Sequence, residues 1–226
     1  MNEFYAAIAG AIVGGVIALG IQLLALRAAA NERRADALER RKALGHALLF
    51  KMIQIVSHLH GFNSHVKEAL ARAAADGLSG RPWQFVIPLA NFPERVHFST
   101  DEMAMLLSLQ DDDVFNRIAS LDELHNSTVD VFQTYAARRL SLTSMLPAAM
   151  EESVGTTALT ESQMLALAPR MAELDGIIST IRLKCDQDER DSKSALTALR
   201  DLLHNKIGLT YRLELKAEKA PAQIAT

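Results

Sequence analysis

Three histidines within eight residues, His58, His60 and His65, are the densest group of side chains in this chain that could do chemistry. Imidazole titrates near neutral pH and is a common ligand of transition metals. On a helix, His58 and His65 are seven apart and share a face, whereas His60 points about 160° away from His58. A zinc site on one helix needs ligands three or four apart with a carboxylate in reach. Glu68, three after His65, is a solitary approach to that pattern. The spacing predicts no metal site and places the three histidines on the flank of a helix that meets a bundle.

Asp111, Asp112 and Asp113 are the next candidates. Calcium loops space their ligands by two and turn on a glycine, and neither feature is present. Acids in the first turn of a helix, set against its positive end, account for them. The acidic stretch also offers a docking surface for a basic partner, including a neighbouring copy of the chain. The single cysteine, Cys185, lies between Lys184 and the acids Asp186 and Asp188, an environment that does not favour a reactive thiolate. Small helical ribonucleases place four to six residues between an Arg and a His. Arg40 and Arg41 stand in that relation to His46, and Arg200 is one residue too close to His204. Among 16 Arg and seven His, about one or two such spacings arise by chance, so no kinship is read into them. No Gly-rich phosphate loop, nucleophile elbow or zinc-protease helix pair occurs. The sequence therefore predicts no catalytic residue, no cofactor, no small-molecule ligand and no enzyme.

The elements that position these residues begin with an apolar run. Phe4 to Leu26 is 23 residues without a charge. As a helix it spans roughly 34 Å, slightly more than a bilayer core. Met1-Asn2-Glu3 lacks the basic n-region of a cleaved secretory signal. The expectation is an uncleaved signal-anchor, a single transmembrane helix. Ala6, Gly10, Gly14 and Ala18 repeat every fourth position on it, and Ala7, Ala11 and Gly15 make a neighbouring ridge, a pattern that suits helix packing in lipid.

Charge is distributed unevenly. Residues 27–51 carry seven basic side chains against Glu32, Asp36 and Glu39, a balance of +4, and residues 101–113 carry five acids and no base. Arg27, Arg33, Arg34, Arg40, Arg41 and Lys42 follow the apolar run directly. Positive residues stay on the cytoplasmic side, so this flank predicts a single-pass inner-membrane protein with its N-terminus outside and its domain in the cytoplasm. The same position explains the basic residues without a nucleic-acid partner.

Beyond the flank, Leu44, Leu48, Met52, Ile55, Leu59, Phe62, Val66 and Leu70 recur every three or four residues. No proline precedes Pro82, so the anchor and stalk are expected to form one rod of about 70 residues ending at Asp76-Gly77. Residues 81–98, with three prolines and Trp83, read as an ordered loop with a short extended piece at Gln84–Ile87. Ser99 with Glu102 and Thr160 with Gln163 match capping boxes, and Asp111 opens a long helix whose inner face includes Leu121, Leu124, Thr128 and Phe132. Pro169 should kink the last helix or move its start to Ala168.

The fold expected is all-α: a transmembrane helix (4–26) behind a three-residue tail (1–3), a charged stalk (27–43), an antiparallel helical bundle (44–208) and a frayed tail (209–226). The function expected is that of a membrane-anchored interaction protein: a scaffold, adaptor or sensor. Its partners would be membrane lipid and, through the anchor, itself or another membrane protein. Two alternatives are an effector that permeabilises membranes by oligomerising, with Gln22 facing a pore, and a helical nuclease using His46 or His204.

Overall fold

The computed structural model describes residues 2–146 and 159–211, with side chains from residue 19 onward. Every regular element among them is helical: α1 (Asn2–Ala75), α2 (Pro82–Phe85), α3 (Thr100–Leu107), α4 (Asp112–Thr143) and α5 (Glu161–Ile207).

α1 is one uninterrupted helix of 74 residues, roughly 110 Å long at 1.5 Å per residue. Gly45 does not break it. A Cβ there would sit 3.4 Å from methyl groups of Leu203, Ile207 and Leu209, so the missing side chain lets the end of α5 pack closely. α1 stops as its sequence predicts. Gly77 takes φ +65°, and the amides of Gly77 and Leu78 return to the carbonyls of Ala74 and Ala73, a Schellman closure.

The other boundaries follow their caps. The Ser99 hydroxyl accepts from the Glu102 amide while Glu102 Oε2 accepts from the Ser99 amide. Asp111 Oδ1 accepts from the Val114 amide and starts α4. Thr160 and Gln163 close the same box on α5. That box fixes the start of α5 at Glu161, and the helix runs through Pro169 instead of beginning at Ala168. Pro169 and Leu165 are exposed, so water can satisfy the carbonyl that loses its amide partner. The extended piece expected at Gln84–Ile87 is instead helical over Gln84 and Phe85. Pro82 presets the first helical φ, and Gln84 Oε1 accepts from the Arg81 amide at 2.7 Å.

α1 and α4 both run antiparallel to α5. Gly45 meets the end of α5 while Asn63 meets Asp186 and Glu189 earlier in it, and Arg138 of α4 pairs with Glu173 near the start of α5. α1 and α4 consequently run alongside each other, joined by Phe62 stacked on Phe132 with ring centroids 4.4 Å apart. One core of buried side chains from all five helices fills the space between them, including Leu48, Met52, Ile55, Leu106, Ile118 and Leu199. His125 sits at the centre of the inner face of α4, fully buried; Leu124 packs against the core from its edge, and Leu124 and Thr128 are both half-buried. Leu209, assigned by sequence to a frayed tail, is also buried; residues 212–226 lie outside the described residues.

The membrane placement is corrected. Among the described residues no helix is long and apolar enough to cross a membrane. The transmembrane helix, the signal-anchor and the single-pass inner-membrane location with a cytoplasmic domain are therefore not supported. The ridge of Ala6, Ala7, Gly10, Ala11, Gly14, Gly15 and Ala18 lies outside the described side chains.

Candidate functional site

The three histidines on α1 do not converge. Each reaches a different element. His65 Nε2 donates to the Ile87 carbonyl at 2.7 Å, tying α1 to the segment after α2. His60 and His58 lead into two separate polar clusters.

The first cluster joins α1 to α5. Glu189 is buried, and its Oε1 accepts from His60 Nδ1 at 2.8 Å and from Lys193 Nζ. Asn63, also buried, donates from Nδ2 to Glu189 Oε2 at 2.5 Å and to Asp186 Oδ1 at 2.9 Å. Asp186 further accepts from Lys67 Nζ and Arg190 Nη1. Burial acts to raise the Glu189 carboxyl, but the hydrogen bonds from Asn63, Lys193 and His60 outweigh it and hold the group at about 2. Lys67 first, then Asn63, hold Asp186 at about 2. Both acids are ionised and fully engaged near neutral pH, which suits a clamp between helices and not a general acid or base. The depression beside them is about 230 Å³, below the size usual for a small-molecule site.

The second cluster joins α1 to α4 and the segment before α3. His58 Nδ1 lies 2.9 Å from His125 Nε2, and His125 Nδ1 lies 3.1 Å from Asn126 Oδ1. The Asn126 amide is oriented by the Val96 backbone: Oδ1 accepts from the Val96 amide, and Nδ2 donates to its carbonyl and to Asp122 Oδ1. Because Oδ1 is an acceptor, His125 carries its proton on Nδ1. Its Nε2 is then the acceptor, and His58 donates from Nδ1. Burial lowers the pKa of both histidines; for His125 the neighbouring His58 and His97 add to this, against Asn126 and Asp122. The result is a neutral, directional chain of hydrogen bonds.

A third feature is the part of α1 that leaves the bundle. From Leu19 to Arg41 every side chain is exposed, and Leu19, Ile21, Leu23, Leu24 and Leu26 are between 56% and 67% exposed. The basic residues Arg27, Arg33, Arg34, Arg40 and Arg41 stand on this segment, with Lys42 at its base. Arg40 lies 3.7 Å from Asp101, so the basic and acidic stretches meet within one chain. Lys42 pairs with Glu39 at 2.8 Å.

The remaining candidates are dispersed. Asp111 caps α4, and Asp113 pairs with Arg117 one turn later. Cys185 is buried, and burial, reinforced by Asp188, Asp186 and Glu189, pushes its thiol up to about 12. His46 and His204 are both exposed. Among the described residues, no three of His, Cys, Asp and Glu are grouped so as to hold a metal ion.

Sequence reading missed Asn63, His125 and Glu189, although a signal existed. Each stands where the three-to-four spacing demands an apolar side chain: Asn63 between Leu59 and Val66, His125 between Leu121 and Val129, Glu189 between Cys185 and Leu196. A polar residue on an inner stripe marks a buried hydrogen-bond network. Compared with family models, curated proteins and solved structures, the chain shows no match.

Proposed function

We propose that this chain is a helical interaction protein, a scaffold, adaptor or sensor that works by association. The observation that carries the reading is the projection of α1 from the bundle. A helix segment that exposes five large aliphatic side chains beside a dense row of charges leaves apolar area in water that association can cover. The two polar clusters hold α1 to α4 and α5 within the bundle from which this segment projects.

The test is site-specific photo-crosslinking of the full chain in cells. Crosslinkers replace Leu23, Ala30 or Ala37 on the projection and, as the comparison, Leu183, which is 80% exposed on the bundle. Adducts concentrated at the three projecting positions are the expected result. Adducts no more frequent there than at Leu183 would remove the basis for the proposal.

A further inference from the structure

The projecting segment has a heptad register. Ile21, Ala28 and Ala35 fall on a positions, and Leu24, Asn31 and Leu38 on d positions. The flanks are charged by sign: Arg27 and Arg34 occupy g, and Glu32 and Glu39 occupy e. All ten side chains are exposed. Past Lys42 (a) and Gly45 (d) the register carries on into the bundle, where Leu49, Met52, Val56, Leu59, Asn63 and Val66 take the following a and d positions and are all buried. Within the bundle α5 lies against α1. It ends at Ile207, beside Gly45, and above that level no described residue covers the stripe.

We infer that Ile21–Leu38 pairs in parallel and in register with the same segment of a second copy of this chain, as a two-stranded coiled coil. The inference rests on the association reading above and names its partner. Charge decides the orientation. In a parallel pair each g residue faces the e residue five positions later on the other helix. Arg27 then meets Glu32 of the second copy and Arg34 meets its Glu39, four opposite-sign pairs by symmetry. An antiparallel pair sets g against g and e against e, which places Arg beside Arg and Glu beside Glu. Asn31 adds a register signal, because only the in-register parallel pair puts it opposite its own copy and lets the two amides bond. The seam ends at Lys42, the next a position, where two like charges would meet. Leu23 and Leu26 lie off the seam, so this pairing covers Ile21 and Leu24 but not them.

The test uses the full chain in sedimentation equilibrium over a concentration series. The wild-type chain should form dimers. Replacing Glu32→Arg with Glu39→Arg makes both flanks basic, and replacing Arg27→Glu with Arg34→Glu makes both acidic. Each double variant alone should weaken the dimer by about tenfold or more, and an equimolar mixture should restore it as a heterodimer. For register, Leu24→Cys should give a disulfide-linked dimer on mild oxidation and Leu23→Cys should not; buried Cys185 does not compete. Three outcomes overturn the inference: a wild-type monomer at every concentration, a dimer indifferent to both charge variants, or equal crosslinking at positions 23 and 24. A dimer indifferent to charge leaves the association reading standing. Absence of crosslinked partners in cells removes that reading separately.

Discussion

His58 Nδ1 sits 2.9 Å from His125 Nε2, and the rings are stacked with centroids 5.1 Å apart. The bridge requires one of the two facing nitrogens to be bare. A first proton can be taken up if His58 shifts to its Nε2 tautomer. A second proton would set two N–H groups against each other.

The sign of the pH dependence follows. Both histidines have folded pKa values below the usual 6.5, so the unfolded chain binds more protons between 6.5 and those lower values. The stability due to this pair is complete above about pH 6.5 and is lost as pH falls below it. The expected observation is an unfolding free energy that declines between pH 7 and 5. In a His58→Phe/His125→Phe variant that slope should flatten. A wild-type chain equally stable at both pH values would refute the assignment.

The Asn63–Glu189 cluster acts at lower pH. Both Asp186 and Glu189 are held at about 2, so their contribution is present above their ordinary carboxyl values and is lost as pH falls from about 4.5 toward 2. Asn63→Leu removes the donor shared by both acids and leaves buried Glu189 one bond short. A loss of about 2 kcal/mol at pH 7 is expected in urea titrations, together with a rise in the Glu189 pKa seen by carboxyl-resolved NMR.

How much of this was legible in the sequence depends on the kind of signal. Helix ends were legible, because caps are local: Ser99 with Glu102, Asp111, Thr160 with Gln163, and Gly77 each did in the structure what their chemistry predicts. Inner faces were mostly legible from periodicity, but His125 was not, because the apolar spacing runs through Leu124 and Thr128 and a buried polar side chain carries no apolar signal. Pairings between distant helices were not legible. His60 and Glu189 are 129 residues apart, and nothing in either local sequence names the other.

The stacked pair Phe62 and Phe132 is a direct apolar joint between α1 and α4, each residue 2% exposed. Phe132→Ala removes one ring and leaves a cavity in a close-packed region, at an expected cost of about 3–5 kcal/mol. Phe132→Leu should recover at least half of that, measured by thermal or urea unfolding of the full chain. If alanine and leucine cost the same, packing volume is not what the ring supplies.

Lys51 and Glu102 make the strongest prediction about a single charge. Glu102 is 3% exposed, and its Oε2 is shared between the Ser99 amide at 2.6 Å and Lys51 Nζ at 2.7 Å. One carboxylate thus starts α3 and fastens it to α1. Lys51→Met keeps much of the apolar stem but strips the counter-charge from a buried anion, at an expected cost of about 3 kcal/mol. Glu102→Gln retains the capping geometry and removes the charge that Lys51 answers. Because the long lysine stem can carry its ammonium into water, this second change should cost less than the first. Combining the two leaves no buried charge, so the double variant should be more stable than Lys51→Met alone, a coupling that a double-mutant cycle in urea reads directly. Strict additivity of the two costs would mean that the ammonium and the carboxylate are not partners in solution.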